Sequence, residues 1–249
     1  MEAYELPSGA RIPTLGLGVW QMEDDGETEQ AVRWALELGY RHIDTAAMYR
    51  NERGVGEGIR ASGVAREDVF VTTKLIPARE DPAGALRESL DRLGFDYVDL
   101  YLIHWPRGDY VAQWRALEEL RAAGLARDIG VSNFGRRELD ALPTVPAVNQ
   151  CHFSAVRHDL RLLELCRERG IVFEAYSPLE QGVGPRNKTV VQVAERVGRT
   201  PGQVLIRWAI QHGTVVIPKS SRRERIEENA RVFDFELDAE AMDALDALD

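Results

Sequence analysis

The chain has 249 residues, 31 basic and 41 acidic side chains, a net charge of −10, and 44% apolar residues, which suits one α/β unit with a full core. The acidic balance disfavours nucleic-acid and anionic-membrane partners. Residues 1–13 lack a basic and apolar leader pattern, no apolar run approaches membrane-spanning length, and Cys151 and Cys166 form neither a disulfide framework nor a metal-ligand spacing, so a cytoplasmic protein with reduced thiols and no metal is expected.

From the N-terminus, 4–14 reads as a hairpin around a Pro-Ser-Gly turn. Residues 15–18 read as a first strand and 27–38 as a helix with Ala31, Trp34, Ala35 and Leu38 on one face. Strand two is expected over 42–45, a helix over 52–61, and strand three over 69–74. Asp81 then caps a helix to Leu93 with Pro82 at its first position. Strand four spans 97–103, followed by a helix over 111–123 closed by Gly124. Strand five spans 128–131, and Ser132 or Asn133 opens a short helix to Leu142. Strand six covers 147–149 and is followed by a helix over 159–169. Strand seven covers 171–175, with helices over 189–197 and 201–211. Strand eight covers 215–217, and helices over 223–230 and 239–248 end the chain.

Eight short apolar strands, each followed by helix, mean a parallel sheet. The fold class expected is a single (β/α)₈ TIM barrel over 1–249 with an N-terminal β-hairpin. A doubly wound sheet is the alternative, but Gly16 and Gly18 do not form a Gly-x-Gly-x-x-Gly phosphate loop.

A barrel places its active site at the C-terminal ends of the strands. Polar and ionisable residues stand at those ends in succession: Asp44 with Tyr49, Lys74, His104-Trp105, Ser132-Asn133, Asn149-Gln150, Tyr176-Ser177 and Lys219-Ser220. Only Lys74, Lys188 and Lys219 are lysines in this arginine-rich chain, and a retained lysine marks a place where a compact, tunable ammonium is useful. Beside Tyr49, an ammonium paired with Asp44 is expected to lower the phenol pKa, while His104 holds a carbonyl oxygen. Taken singly, each of these residues has a structural reading: Asp44 as a turn former, Tyr49 as a packed aromatic, His104 as a core histidine. Together they point to protonation of an oxygen as hydride arrives on carbon. Lys219, Arg222 and Arg225 form a basic cluster opening a helix, which suits a dianionic phosphate. Trp20, Met22 and Trp105 are expected as pocket walls, and His42, His152, His158 and His212 as structural histidines.

The run Gly39-Tyr-Arg-His-Ile-Asp44-Thr-Ala-Ala-Met-Tyr49 resembles the signature of the aldo-keto reductase superfamily. Val71-Thr-Thr-Lys74, Leu102-Ile-His104-Trp-Pro106, Gly130-Val-Ser-Asn133-Phe134 and Ile217-Pro-Lys-Ser220 resemble it too, in order and across the chain. Among its branches the chain looks most similar to prokaryotic 2,5-diketo-D-gluconate reductase-like enzymes. The resemblance implies an NADP(H)-dependent reductase acting on a small-molecule carbonyl. Tyr49 would be the general acid, Lys74 and Asp44 its tuning pair, and His104 the carbonyl-orienting donor. Substrate would meet Trp20, Tyr49, His104 and Trp105. The cofactor would meet Gly18, Val19, Trp20 and Asp44, with Ser132, Asn133 and Gln150 on the nicotinamide carboxamide and Tyr176 stacked on its ring. Ser177 and Leu179 would line the pyrophosphate, and Lys219, Ser220, Arg222, Arg225, Glu228 and Asn229 the adenosine end.

Three departures bear on this reading. Glu180 stands where many relatives have glycine, and an acidic group there opposes a pyrophosphate unless it points away. Leu75-Ile76-Pro77 replaces a tryptophan wall, and the chain stops at Asp249 without the tail that closes over substrate in many relatives, so an open pocket is expected. A monomer is expected. A non-catalytic nucleotide sensor on the same fold, or a barrel enzyme acting on phosphorylated substrates, are the alternatives.

Overall fold

The computed structural model describes residues 2–24 and 26–249. The chain opens with an antiparallel hairpin, β1 (Ala3–Glu5) and β2 (Arg11–Pro13). Eight parallel strands follow in sequential order: β3 (Leu17–Gly18), β4 (His42–Asp44), β5 (Phe70–Leu75), β6 (Val98–Ile103), β7 (Ala126–Ser132), β8 (Val148–His152), β9 (Val172–Tyr176) and β10 (Val215–Val216). Parallel bridges Leu15–Val216 and Gly18–Lys219 join the first of them to the last, giving the expected (β/α)₈ barrel. Closure explains one glycine. A Cβ on Gly18 would lie 2.8 Å from the Ile217 carbonyl oxygen, so a side chain there would push the two ends of the sheet apart.

Helices separate the strands: α1 (Glu27–Glu37), α2 (Glu52–Ser62), α3 (Pro82–Leu93), α4 (Tyr110–Ala122), α5 (Arg136–Asp140), α6 (Leu160–Glu168), α7 (Lys188–Val197) and α8 (Pro201–Gln211), with α9 (Arg223–Ala230) and α10 (Ala239–Asp246) after β10. Several begin at side-chain caps readable in the sequence. The Asp81 carboxylate accepts from Gly84 N, Asp159 accepts from Arg161 N and Leu162 N, and Thr200 with Gln203 forms a capping box. Each such cap stabilises its helix by about 1 kcal/mol. The helix after strand five is a correction. It starts at Arg136 with Gly135 at its N-cap, not at Ser132 or Asn133. Ser132 still belongs to β7, and Asn133 takes a left-handed φ of 65°, which turns the chain away before the helix starts.

Two cores result. Strands β5 and β6 are buried at every residue because helices cover their outer face and the barrel interior their inner one. The outer core fills the space between strands and helices. A smaller inner core, Phe70, Leu100, Leu102, Val148 and Val215, lies at the N-terminal end of the barrel and packs against Leu6 and Ile12 of the hairpin. Ser8 ties the hairpin down by donating its backbone N–H and hydroxyl to Asp128. Above this apolar floor the interior becomes polar, and the strands end around a cleft.

Candidate active site

The cleft occupies about 1250 Å³ at the C-terminal ends of the strands. Its floor is built by β4, β5 and β6. Lys74 leaves β5 fully buried, and its Nζ donates to Asp44 Oδ1 at 2.7 Å and to the Thr45 carbonyl at 2.9 Å. The same Nζ lies 3.5 Å from Tyr49 Oη and 5.0 Å from the centre of its ring. Tyr49 reaches this point because Ala47–Tyr49 form one 3-10 turn, ended by Arg50 at a left-handed φ of 59°. His104 follows β6, and its ring meets Tyr49 edge-on with centres 5.7 Å apart. The four residues that the sequence assigned to chemistry therefore do converge, from three neighbouring strands.

Their electrostatics differ in one respect from the expectation. Burial raises the Tyr49 pKa and outweighs the lowering by Lys74, and Asp44 and Glu174 add to the rise. Lys74 does favour the phenolate, as argued from sequence, but it offsets a larger cost rather than leaving an acidic phenol. Burial alone would drive the Lys74 ammonium to lose its proton, yet the Asp44 carboxylate, Tyr49 and Glu174 turn its net shift upward. His104 is neutral: burial, with Lys74 next, pushes it down to about 3.

The other side of the cleft comes from later strands. Ser132 Oγ donates to the Gln150 carbonyl at 2.9 Å. Asn133 Nδ2 donates to Ser132 Oγ and to the His104 carbonyl, while Tyr176 Oη donates to Asn133 Oδ1 at 2.8 Å. These contacts fix a polar ledge beside Tyr49. Left-handed, non-glycine residues cluster here (Gln21, Arg50, Asn133, Ser177, Glu180 and Gln181), and such strain persists only where surrounding structure enforces it. Ser177, Leu179, Lys219, Ser220, Arg222, Arg225, Glu228 and Asn229 continue the cleft to the N-terminus of α9, which no side chain caps. Arg225 is held by Glu228 at 2.8 Å, and Thr200 also donates to that carboxylate. Trp20, Met48 and Trp105 stand exposed around the mouth.

Two sequence readings fall elsewhere. Val19 has its side chain fully buried in the outer core and does not line the cleft. Met22 is core as well, not a pocket wall, because the chain turns inward after the left-handed Gln21. Glu180 lines the cleft but its carboxylate is engaged: it accepts from Ser154 Oγ and pairs with His152 Nε2 at 2.9 Å. Asn51 was missed. Fully buried, it accepts from Thr45 Oγ and donates to the carbonyls of Val19 and Met22, pinning the loops after β3 and β4 around Tyr49. Its signal was an asparagine two residues beyond the tyrosine, opening α2. Among the described residues no cluster of His, Cys, Asp or Glu fits a metal ion, and no helix is long and apolar enough to cross a membrane.

The model of the Aldo/keto reductase family matches residues 14–249. The chain belongs to the aldo/keto reductase family. Among curated relatives, this reductase is 46% identical to glyoxal reductase of Bacillus subtilis over 99% of its own length and 92% of the relative's. It is 51% identical to an aldo-keto reductase of Mycolicibacterium vanbaalenii, covering 96% and 88%. Among solved structures, an aldo/keto reductase from Brucella melitensis superposes with a TM-score of 0.94 at 41% identity, covering 100% and 99%. The chain is thus an oxidoreductase of the carbonyl-reducing kind.

Proposed function

We propose that this protein is a monomeric, cytoplasmic, NADPH-dependent carbonyl reductase acting on small aldehydes and ketones. The observation that carries this reading is the position of Tyr49 Oη: at the edge of an open cleft, backed by the buried Lys74–Asp44 pair and flanked by a neutral His104. A phenol is a usable acid here only because Lys74 stabilises the phenolate it leaves behind. Neutral His104 keeps one ring N–H to donate to a substrate carbonyl oxygen, holding it next to the phenol. Asp44 keeps the ammonium fixed, so the charge that stabilises the phenolate does not drift between turnovers.

The remaining cleft fits a phosphorylated dinucleotide. The side-chain oxygens of Ser132, Asn133 and Gln150 offer acceptors to a carboxamide, and Tyr176, whose hydroxyl is held by Asn133, offers a ring face. The uncapped N-terminus of α9, with Lys219, Arg222 and Arg225 around it, suits the 2′-phosphate that distinguishes NADPH from NADH. Bound there, NADPH would supply the hydride for the carbonyl carbon. Trp20, Met48 and Trp105 give the mouth an apolar wall on the substrate side. The glyoxal reductase among the relatives supports a dicarbonyl substrate, and keto-sugars and aromatic aldehydes are further candidates. A place among 2,5-diketo-D-gluconate reductase-like enzymes rests on the motifs alone.

The test is fluorescence titration with NADPH and NADH, followed by NADPH consumption with glyoxal, methylglyoxal, a keto-sugar and benzaldehyde. Tight NADPH binding with turnover is expected. Binding without turnover on any carbonyl would replace the reductase with a nucleotide sensor, and no binding of either nucleotide would remove the cofactor assignment.

A further inference from the structure

Glu174 is a fully buried acid that does not line the cleft. It stands on β9 opposite Gln150, its register partner on β8. The single amide nitrogen of Gln150 donates to Glu174 Oε2 at 2.9 Å and to Asp44 Oδ2 at 2.8 Å. Both hydrogens of that amide are used inward, which leaves its carbonyl oxygen as the polar atom offered to the cleft. Glu174 Oε1 makes no hydrogen bond among the described residues, and His42 Nε2 lies 3.4 Å away. The titratable groups facing Glu174 are His42 and Asp44 of β4, Tyr49 of the turn after β4 and Lys74 of β5, with Gln150 and Thr72 as neutral neighbours.

Charge balance then selects one arrangement. Lys74 is the one cation in the group, because burial and Lys74 itself keep His42 neutral. Two carboxyl groups share one amide, in an interior closed to water, with one ammonium between them. They do not both ionise there. Lys74 sits directly on Asp44, so Asp44 takes the charge and Glu174 keeps the proton; an ionised Oε1 with no donor would also be costly. Burial, reinforced by Asp44, raises Glu174 to about 8.

We propose that Glu174 is a positioning residue for carbonyl reduction: as a neutral acid it locks the Gln150 amide in one orientation and leaves Asp44 as the only counter-charge to Lys74 beside Tyr49. The proposal rests on the reductase reading for its kinetic consequence, not for its structural one. When Glu174 ionises, a second negative charge enters the cavity, the Tyr49 phenolate is disfavoured, and proton donation slows.

The experiment pairs kinetics with spectroscopy on wild type, Glu174→Gln and Glu174→Ala. In wild type, kcat is expected to fall about tenfold from pH 6 to pH 9 as the acid ionises. Glu174→Gln, which stays neutral at all pH values, is expected to flatten that descent. Glu174→Ala, which frees the Gln150 amide, is expected to lower kcat at every pH. In infrared difference spectra, wild type minus Glu174→Gln, a protonated carboxyl C=O band is expected at pH 6 and gone at pH 10. An alkaline descent unchanged in Glu174→Gln, or the absence of that band at pH 6, overturns the proposal. Because the band needs no turnover, it tests the protonation of Glu174 even if the protein reduces no carbonyl, so the two failures are distinguishable.

Discussion

Replacing Lys74 by Met removes one half of a pair that water does not reach. The two side chains are 0% and 3% exposed, and Nζ lies 2.7 Å from Asp44 Oδ1. At an effective dielectric constant near 20, that attraction is roughly 6 kcal/mol. Asp44 has a cheaper escape, however, because it can take up a proton. Burial already pushes its pKa upward against Lys74, and nothing else near it is cationic. A carboxyl with an unfolded value near ~3.9 costs about 4 kcal/mol to hold protonated at pH 7, at about 1.4 kcal/mol per pH unit. The lower figure sets the ceiling, so Lys74→Met should lose about 3–4 kcal/mol at pH 7. The sign of the pH dependence follows. With its folded pKa raised, Asp44 in the variant contributes stability that is complete below the unfolded value and lost as pH rises, so the deficit should shrink to about 1–2 kcal/mol at pH 5. The double variant Asp44→Asn/Lys74→Met buries no charge from this pair and should be flatter with pH, lying nearer wild type than the single variant does. Urea unfolding at pH 5, 6 and 7 measures all three proteins. An equal deficit at pH 5 and pH 7 would refute the reasoning, since it would mean that Asp44 is not the charge Lys74 compensates.

Other predictions follow from the same contacts. Arg225→Ala should weaken NADPH by about tenfold and NADH much less, read by fluorescence titration, the loss expected for one charge-assisted contact; equal losses would remove the 2′-phosphate assignment. Because His104 is pushed down to about 3, the pH profile of kcat/KM should show no histidine ionisation between pH 5 and pH 8, and an acid limb near ~6.5 that disappears in His104→Gln would contradict it. Trp208 stacks on Phe153 with centres 4.9 Å apart and donates Nε1 to Asp246, so Trp208→Ala should cost about 3–5 kcal/mol in urea unfolding while the cleft keeps its nucleotide affinity.

Much of this molecule was legible because its signals are local. The α9 helix falls over the residues its pattern predicted, Asp81 and Pro82 open α3 as their chemistry dictates, and the strand-end residues of the rim meet because a parallel barrel gathers every strand end on one side. The failures share a cause. Asn133 reads as a cap, since asparagine favours that position, but here its side chain bridges Ser132, His104 and Tyr176 and its backbone is left-handed. His104 and Tyr176 come from other strands, and no local window contains them. Met22 followed the same logic in reverse, being near the rim in sequence but turned into the core. The net rise of the Tyr49 pKa depends on how deeply the folded barrel buries it, which composition and spacing do not encode. Glu174 was the most readable of the missed residues. An ionisable side chain inside the apolar run Ile171-Val-Phe-Glu-Ala175 is a signal in itself, yet only barrel closure brings it against Asp44, 130 positions away in the chain.

The most direct test of the account is NADPH oxidation by Tyr49→Phe with saturating methylglyoxal, beside its NADPH affinity. The proposed acid predicts a fall in kcat of at least about a hundredfold with affinity within about twofold of wild type. Turnover near the wild-type rate would contradict it, and would mean that the proton reaches the carbonyl oxygen from somewhere other than Tyr49.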